Sequence, residues 1–263
     1  MKYKTLIIII GLFAKFANAQ KSGPTLKEMG LKGKVKQVIE YTYRGGANVD
    51  TLGMPEKTVM SFDESGHEIG EIRYKKNGQV EYKFLFAFPD AGTIVKTQFN
   101  NVGHSIGKYI FKYDVMGNQI EFGTYLDARP EIGFTKSVYI INYKYDEKGN
   151  NIETINNGTS EEFPNKTLIK CNSDHQAIEI YSYLANGKPY DKILYRYDSQ
   201  GNRNKFEEYN ISGKLLEEEA ALYDHLDSFS NWQIETIESR LYGEVRGDRF
   251  SKSITKRHIE YFE

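Results

Sequence analysis

One short pattern recurs along this chain and constrains its folding more than any other feature: an aromatic-rich strand, then Asp, two variable residues, Gly and Asn, then a second strand. The clearest copies are Tyr109-Ile110-Phe111-Lys112-Tyr113-Asp114-Val115-Met116-Gly117-Asn118, Tyr143-Lys144-Tyr145-Asp146-Glu147-Lys148-Gly149-Asn150 and Tyr195-Arg196-Tyr197-Asp198-Ser199-Gln200-Gly201-Asn202. Looser copies run Phe62-Asp63-Glu64-Ser65-Gly66-His67, Asn100 to His104, Tyr209 to Lys214, and Asp227 to Asn231, where Ser230 stands in place of Gly. The letters have a physical meaning. Asp accepts a hydrogen bond from the backbone two residues on, the middle residues take helical dihedrals, and Gly supplies the left-handed conformation that closes a bulged hairpin. Each copy therefore predicts one β-hairpin, with Asp63, Gly66, Asp114, Gly117, Asn118, Asp146, Gly149, Asn150, Asp198, Gly201 and Asn202 as structural turn residues.

The segments between the turns alternate. Tyr109, Phe111 and Tyr113 share a face, as do Tyr139, Ile141, Tyr143 and Tyr145, with mostly polar residues between them. With 20 Tyr and 15 Phe against one Trp, the composition favours pleated, half-buried surfaces. The Asp positions are unevenly spaced, so degenerate turns such as Lys76-Asn77-Gly78, Pro89-Asp90-Ala91-Gly92 and Asn186-Gly187 are expected to fill the gaps. The expected fold is all-β: a large curved antiparallel meander of hairpins, about a dozen strands with little helix, either curled or split in two layers. A short helix is expected near Pro24 to Met29, and Leu215 to Leu222 is open between helix and strand. Nothing Pro- or Ser-rich marks a linker, so residues 20–263 are expected to form a single domain.

Residues 1–19 read as a signal peptide: Lys2 and Lys4, an apolar core from Leu6 to Phe13, and a small-x-small site at Ala17-Asn18-Ala19. Lys15 interrupts the apolar run, which is too short to span a bilayer as a helix. The mature chain is thus expected to be exported, to the periplasm, the cell surface or the medium, with no transmembrane segment. Cys171 is the sole cysteine, so no internal disulfide is available, and no reactive-thiol signature surrounds it. The net charge of −1, with acids and bases interspersed, supplies no field for nucleic acid. No cofactor motif is present.

The Tyr-x-Tyr-Asp-x-x-Gly-Asn copies at Tyr143 to Asn150 and Tyr195 to Asn202, with Phe111 to Asn118 as a variant, resemble the YD repeats of bacterial RHS-type wall-associated proteins. That resemblance implies a meandering β-sheet able to wrap into a shell, and roles in surface binding, contact or toxin delivery. This chain is far too short to enclose a cargo and ends in the strand-like His258 to Phe262. In this it is similar to small exported Bacteroidetes-like proteins carrying a few such repeats.

Sharper chemistry finds little support. Glu207-Glu208, Glu217-Glu218-Glu219 and Asp224-Asp227 could pair as the acids of a glycan-active hydrolase, but in a chain with 36 carboxylates such pairs are expected anyway. There is no Gly-x-Ser-x-Gly elbow, no His-Glu-x-x-His and no phosphate-binding Gly loop. Histidines 67, 104, 175, 225 and 258 are scattered, and Asp224-His225 with Asp227 is the only local cluster with metal-ligand chemistry. No catalytic or metal residue is therefore assigned. The favoured reading is a noncatalytic binding or scaffold protein of the envelope or exterior, with a glycan or an envelope protein as partner. A glycan would need Tyr side chains or Trp232 in a groove; a protein could add its strand to a free sheet edge.

Overall fold

The computed structural model describes residues 26, 29–45, 53–126, 137–157, 164–243 and 247–263. The expected signal peptide lies outside them, as does most of the expected Pro24 to Met29 helix. The described chain contains sixteen strands and no helix. In order they are β1 (Val35–Gly45), β2 (Glu56–Phe62), β3 (Glu68–Tyr74), β4 (Val80–Asp90), β5 (Thr93–Asn100), β6 (Ser105–Tyr113), β7 (Gln119–Leu126) and β8 (Ser137–Tyr145). The second half continues with β9 (Asn151–Asn156), β10 (Lys166–Cys171), β11 (Ala177–Tyr183), β12 (Pro189–Tyr197), β13 (Arg203–Asn210), β14 (Leu215–Leu226), β15 (Trp232–Leu241) and β16 (Arg249–Tyr261). Each strand pairs antiparallel with the next, and β1 closes onto β16 to make a barrel.

Two expectations are corrected and one alternative left open by the sequence is resolved. The strands number sixteen rather than about a dozen, because several turns carry no Asp-x-x-Gly signature. The sheet is neither open nor two-layered: pairing of β1 with β16 removes both edges, the liability that an open sheet of this size would carry. The segment from Leu215 is strand β14. The YD-repeat reading is also overturned, since the Asp turns belong to one closed up-and-down barrel rather than to an open-ended repeat array.

The turns explain the uneven spacing of the motif. Asp63, Asp90, Asp114, Asp146, Asn172, Asp198 and Asp227 all lie at the same end of the barrel, because they join even-numbered strands to odd-numbered ones, at intervals of 24 to 32 residues. The degenerate turn expected at Pro89 to Gly92 is present and shorter, closed by Asp90, whereas the turn from Asn172 to Gln176 was not anticipated and puts His175 at φ 64, as Ser230 is in the last turn, where the clearest copies have Gly. In the five-residue turns one side-chain oxygen serves two donors: Asp146 Oδ1 accepts from the backbone N–H of Lys148 at 2.9 Å and of Asn150 at 2.8 Å. The second oxygen, Oδ2, accepts from the Asn150 amide, also at 2.8 Å. Asp114 and Asp198 repeat all three bonds.

The tyrosine before the Asp ties neighbouring hairpins together. Tyr145 donates its hydroxyl to the Gln119 carbonyl at 2.7 Å, and Tyr197 donates to that of Ala177 at 2.8 Å. In β14 Tyr223 reaches the Arg203 carbonyl at 3.0 Å. Each acceptor is the residue immediately after the preceding rim turn, so the Tyr links one turn to the next. Burial holds the Tyr197 and Tyr223 hydroxyls well above the usual phenol range, so both remain donors.

Gly149 sits at φ +79, a left-handed conformation that β-branched residues rarely adopt. Gly149→Val is expected to cost on the order of 1–2 kcal/mol or more, read as a lower urea midpoint of unfolding; an unchanged midpoint would refute the left-handed assignment. Tyr197→Phe removes the donor to Ala177 and is expected to cost about 1 kcal/mol in the same measurement.

Candidate functional site

The wall has two chemically different faces, identified by register and burial. Val38, Met60, Phe84, Ile94, Phe122, Ile141, Ile180, Ile193 and Tyr195 are buried and all fall on the concave face. The convex face carries cross-strand ion pairs: Lys112 with Glu121 at 2.7 Å, Glu153 between Lys144 and Lys166, Lys252 with Glu238 at 2.9 Å, and Glu207 with Lys205 at 2.8 Å. Such pairs add little stability, and the same face also exposes Leu85, Leu168, Leu222 and Phe250. A bilayer-crossing barrel needs an apolar outer band, and each Lys or Arg at its midplane would cost about 2–4 kcal/mol.

No strand comes within 8 Å, Cα to Cα, of any strand other than its two ladder neighbours. Both buried apolar clusters stay within adjacent parts of the wall: Ala177, Ile180, Ile193 and Tyr195 form one, and Leu31, Val35, Val38, Met60 and Phe62 the other. Eight strands enclose just enough room for their own side chains, and sixteen leave a lumen. The described amino-terminal residues partly cover the rim. Leu26 N–H donates to the Gly66 carbonyl at 3.1 Å, and Lys32 exchanges two backbone hydrogen bonds with the Asn231 amide.

The lumen wall is mixed. Across β4 to β7 the rings of Tyr82, Phe84, Tyr109, Phe122 and Phe111 form a continuous chain with centroids 5.1–6.5 Å apart. Glu71 lies beside this panel, 6% exposed, bonded to both Arg73 and Lys96. Across β9 to β12 the same face carries Ile169, Ile180 and Ile193 with Thr154, Thr167 and Ser182. On the remaining arc Arg257 pairs with Glu40 at 2.6 Å and lies over the Trp232 ring at 3.4 Å from its centroid. One face of Trp232 is thus occupied and offers no platform to a sugar ring.

The residues considered for chemistry are dispersed. Glu207 and Glu218 lie on the convex face, Glu208, Glu217 and Glu219 on the concave one. Glu219 is bonded to Ser239 at 3.1 Å and Arg203 at 3.5 Å. Asp227 caps the last rim turn and accepts from Phe229 and Asn231 backbone N–H groups, while Asp224 and His225 are exposed. No group of three or more His, Cys, Asp or Glu among the described residues is placed to hold a metal. His67 bonds Asp63 within its own turn, and His175 bonds Asn150 of the neighbouring turn at 2.7 Å. A cleft of about 600 Å³ opens at the rim between those two hairpins, lined by Asp146, Lys148, Asn150, Cys171 and His175. Burial, with the Asp146 charge, pushes the Cys171 thiol up, the opposite of an activated nucleophile. No strand edge is free among the described residues, so the geometry for adding a partner's strand is lacking.

No protein-family model matches this chain, and no curated protein does. The YD-repeat resemblance accordingly receives no support. Among solved structures the chain is similar to a porin-like protein from Bacteroides uniformis, at 8% identity over 86% of this chain and 96% of that one, with a TM-score of 0.45. It is also similar to a LolA superfamily protein from Nitrosomonas europaea, at 9% identity over 97% and 93%, TM-score 0.30. A DUF1329 family protein from Desulfovibrio piger shows 8% identity over 86% of each chain, TM-score 0.31. Similarities of this degree assign no function.

Glu68, 4% exposed on the lumen side of the rim, was not singled out in the sequence because nothing local marks it. Burial raises its carboxyl to about 8, against the lowering pull of Lys96. The folded chain therefore holds a proton that the unfolded chain, with an ordinary value of 4.5, releases, so Glu68 costs stability increasingly as pH rises from about 4.5 to about 8. Glu68→Gln is expected to stabilise the protein by a few kcal/mol at pH 9 and by little near pH 4. Urea unfolding across that range checks this; a gain independent of pH would show that Glu68 is not the titrating group.

Proposed function

We propose that the mature chain, released after Ala19 and running from Gln20 as one domain, is an exported, noncatalytic binding protein of the cell envelope that carries its ligand inside the barrel. One observation carries the reading: the convex face is laced with Lys–Glu pairs, while the concave face gathers a continuous ring panel and isoleucines on the inside of a closed sixteen-strand wall. An apolar surface placed on the inside of a wide closed wall is a surface for something other than solvent. The leader-like amino terminus supports export. The charged convex face favours a barrel that stands in water over one that crosses the bilayer.

Adjacent residues of β4 supply the test, because Phe86 faces the lumen and Leu85 is 57% exposed outside. Titration of the mature chain with a neutral naphthylamine dye is expected to show saturable fluorescence enhancement. Phe86→Asp should weaken dye binding several-fold and Leu85→Asp should leave it unchanged, with both variants keeping the wild-type circular dichroism. Equal effects of the two substitutions, or no enhancement at all, would sink the lumen as the binding site.

A further inference from the structure

The ring panel of β4 to β7 has a charged group at one end, and the two together define a ligand class more narrowly than the lumen as a whole. The polar set consists of Glu68, Glu71, Arg73 and Lys96. Lys96 is 15% exposed, its ammonium bonded to Glu71 and lying 4.4 Å from the Phe84 centroid and 5.0 Å from that of Phe86. It is consumed by that pairing. Arg73 also bonds Glu71 and lies 5.1 Å from the Phe84 centroid, but its side chain is 52% exposed. Two cations thus share the single charge of Glu71, since Glu68 beside Lys96 holds its proton at neutral pH. The set carries one net positive charge, and its accessible part is the guanidinium of Arg73.

Position adds the direction. Arg73 is one residue from the end of β3 at Tyr74, at the end of the barrel opposite the Asp-capped rim, whereas Phe84, Tyr109, Phe122 and Phe111 lead from it around the inner wall. The geometry points to a binding site for an anionic amphiphile: an acyl chain lies against the rings of the panel that remain partly exposed, Tyr82, Tyr109 and Phe111, and its carboxylate or phosphate head is held by Arg73 at the barrel mouth. The planar guanidinium suits either head by paired N–H donors, and the low exposure of Glu71 keeps the site from being screened as a surface pair would be. This inference rests on the lumen being the binding site.

The test uses a fluorescent polyene fatty acid and its methyl ester, which share the chain and differ in charge. The mature protein is expected to bind the acid about tenfold or more tightly than the ester, the difference that one charge-assisted contact supplies. Arg73→Gln leaves the Lys96–Glu71 pair intact and should abolish that preference while sparing ester binding; Arg73→Lys should restore most of it. Dodecyl phosphate as competitor distinguishes the heads: displacement at lower concentration than dodecanoate assigns a phosphate-headed ligand, the reverse a carboxylate. Equal affinity for acid and ester, or a preference that survives Arg73→Gln, overturns the headgroup site. Failure of both lipids to bind while the neutral dye still does overturns this inference alone, whereas loss of dye binding as well overturns the lumen reading too.

Discussion

Everything in this barrel depends on one side-chain oxygen per rim turn. Asp146 Oδ1 accepts two backbone N–H groups that would otherwise point unpartnered into the bend, and Asp114, Asp198 and Asp227 do the same. The turn so built has a defined bulge, and the bulge sets the register of the hairpin, seen as a one-residue shift at its rim end in β2/β3, β6/β7, β8/β9 and β12/β13. A slip of one residue would exchange the two faces of the strand. The capping Asp therefore decides, hairpin by hairpin, which residues face the lumen.

The tyrosine that precedes the Asp carries this local device to the next hairpin. Its hydroxyl reaches the carbonyl just beyond the previous turn, so the rim is a chain of linked turns rather than a row of independent ones. At the last turn, Asn231 bonds Tyr261 and the Lys32 backbone, joining the final hairpin to strand β16 and to the segment before β1. Closure of β1 on β16 is thus supported by side chains as well as by the ladder, and the sheet keeps no edge for another chain to extend.

The division of faces links the fold to the proposed role. Lys–Glu pairs outside, each of small energetic worth, make a surface compatible with water. The rings and isoleucines inside cluster along the wall with their ladder neighbours. Ionic groups sit among them: Glu71 with Arg73 and Lys96, Glu219 with Arg203, and Glu40 with Arg257. Each is anchored on an aromatic ring, Arg257 on Trp232 most closely.

The all-β class, the scarcity of helix and the succession of hairpins were legible in the amino-acid sequence, because each is a local matter: alternation in strands such as Tyr109 to Tyr113, and Asp, Gly and Asn at fixed offsets. Turns that use other letters were less legible, as with His175 in a left-handed position, and so the strand number was underestimated. Family membership was not legible either, since the Tyr-Asp letters follow from turn chemistry and hairpin linkage and any up-and-down barrel could use them. Only the tertiary structure decided that β1 meets β16, that Arg73, Lys96 and Glu71 converge from β3 and β5, and that the aromatic face turns inward. Those outcomes depend on curvature accumulated over sixteen strands, a property that no single hairpin encodes.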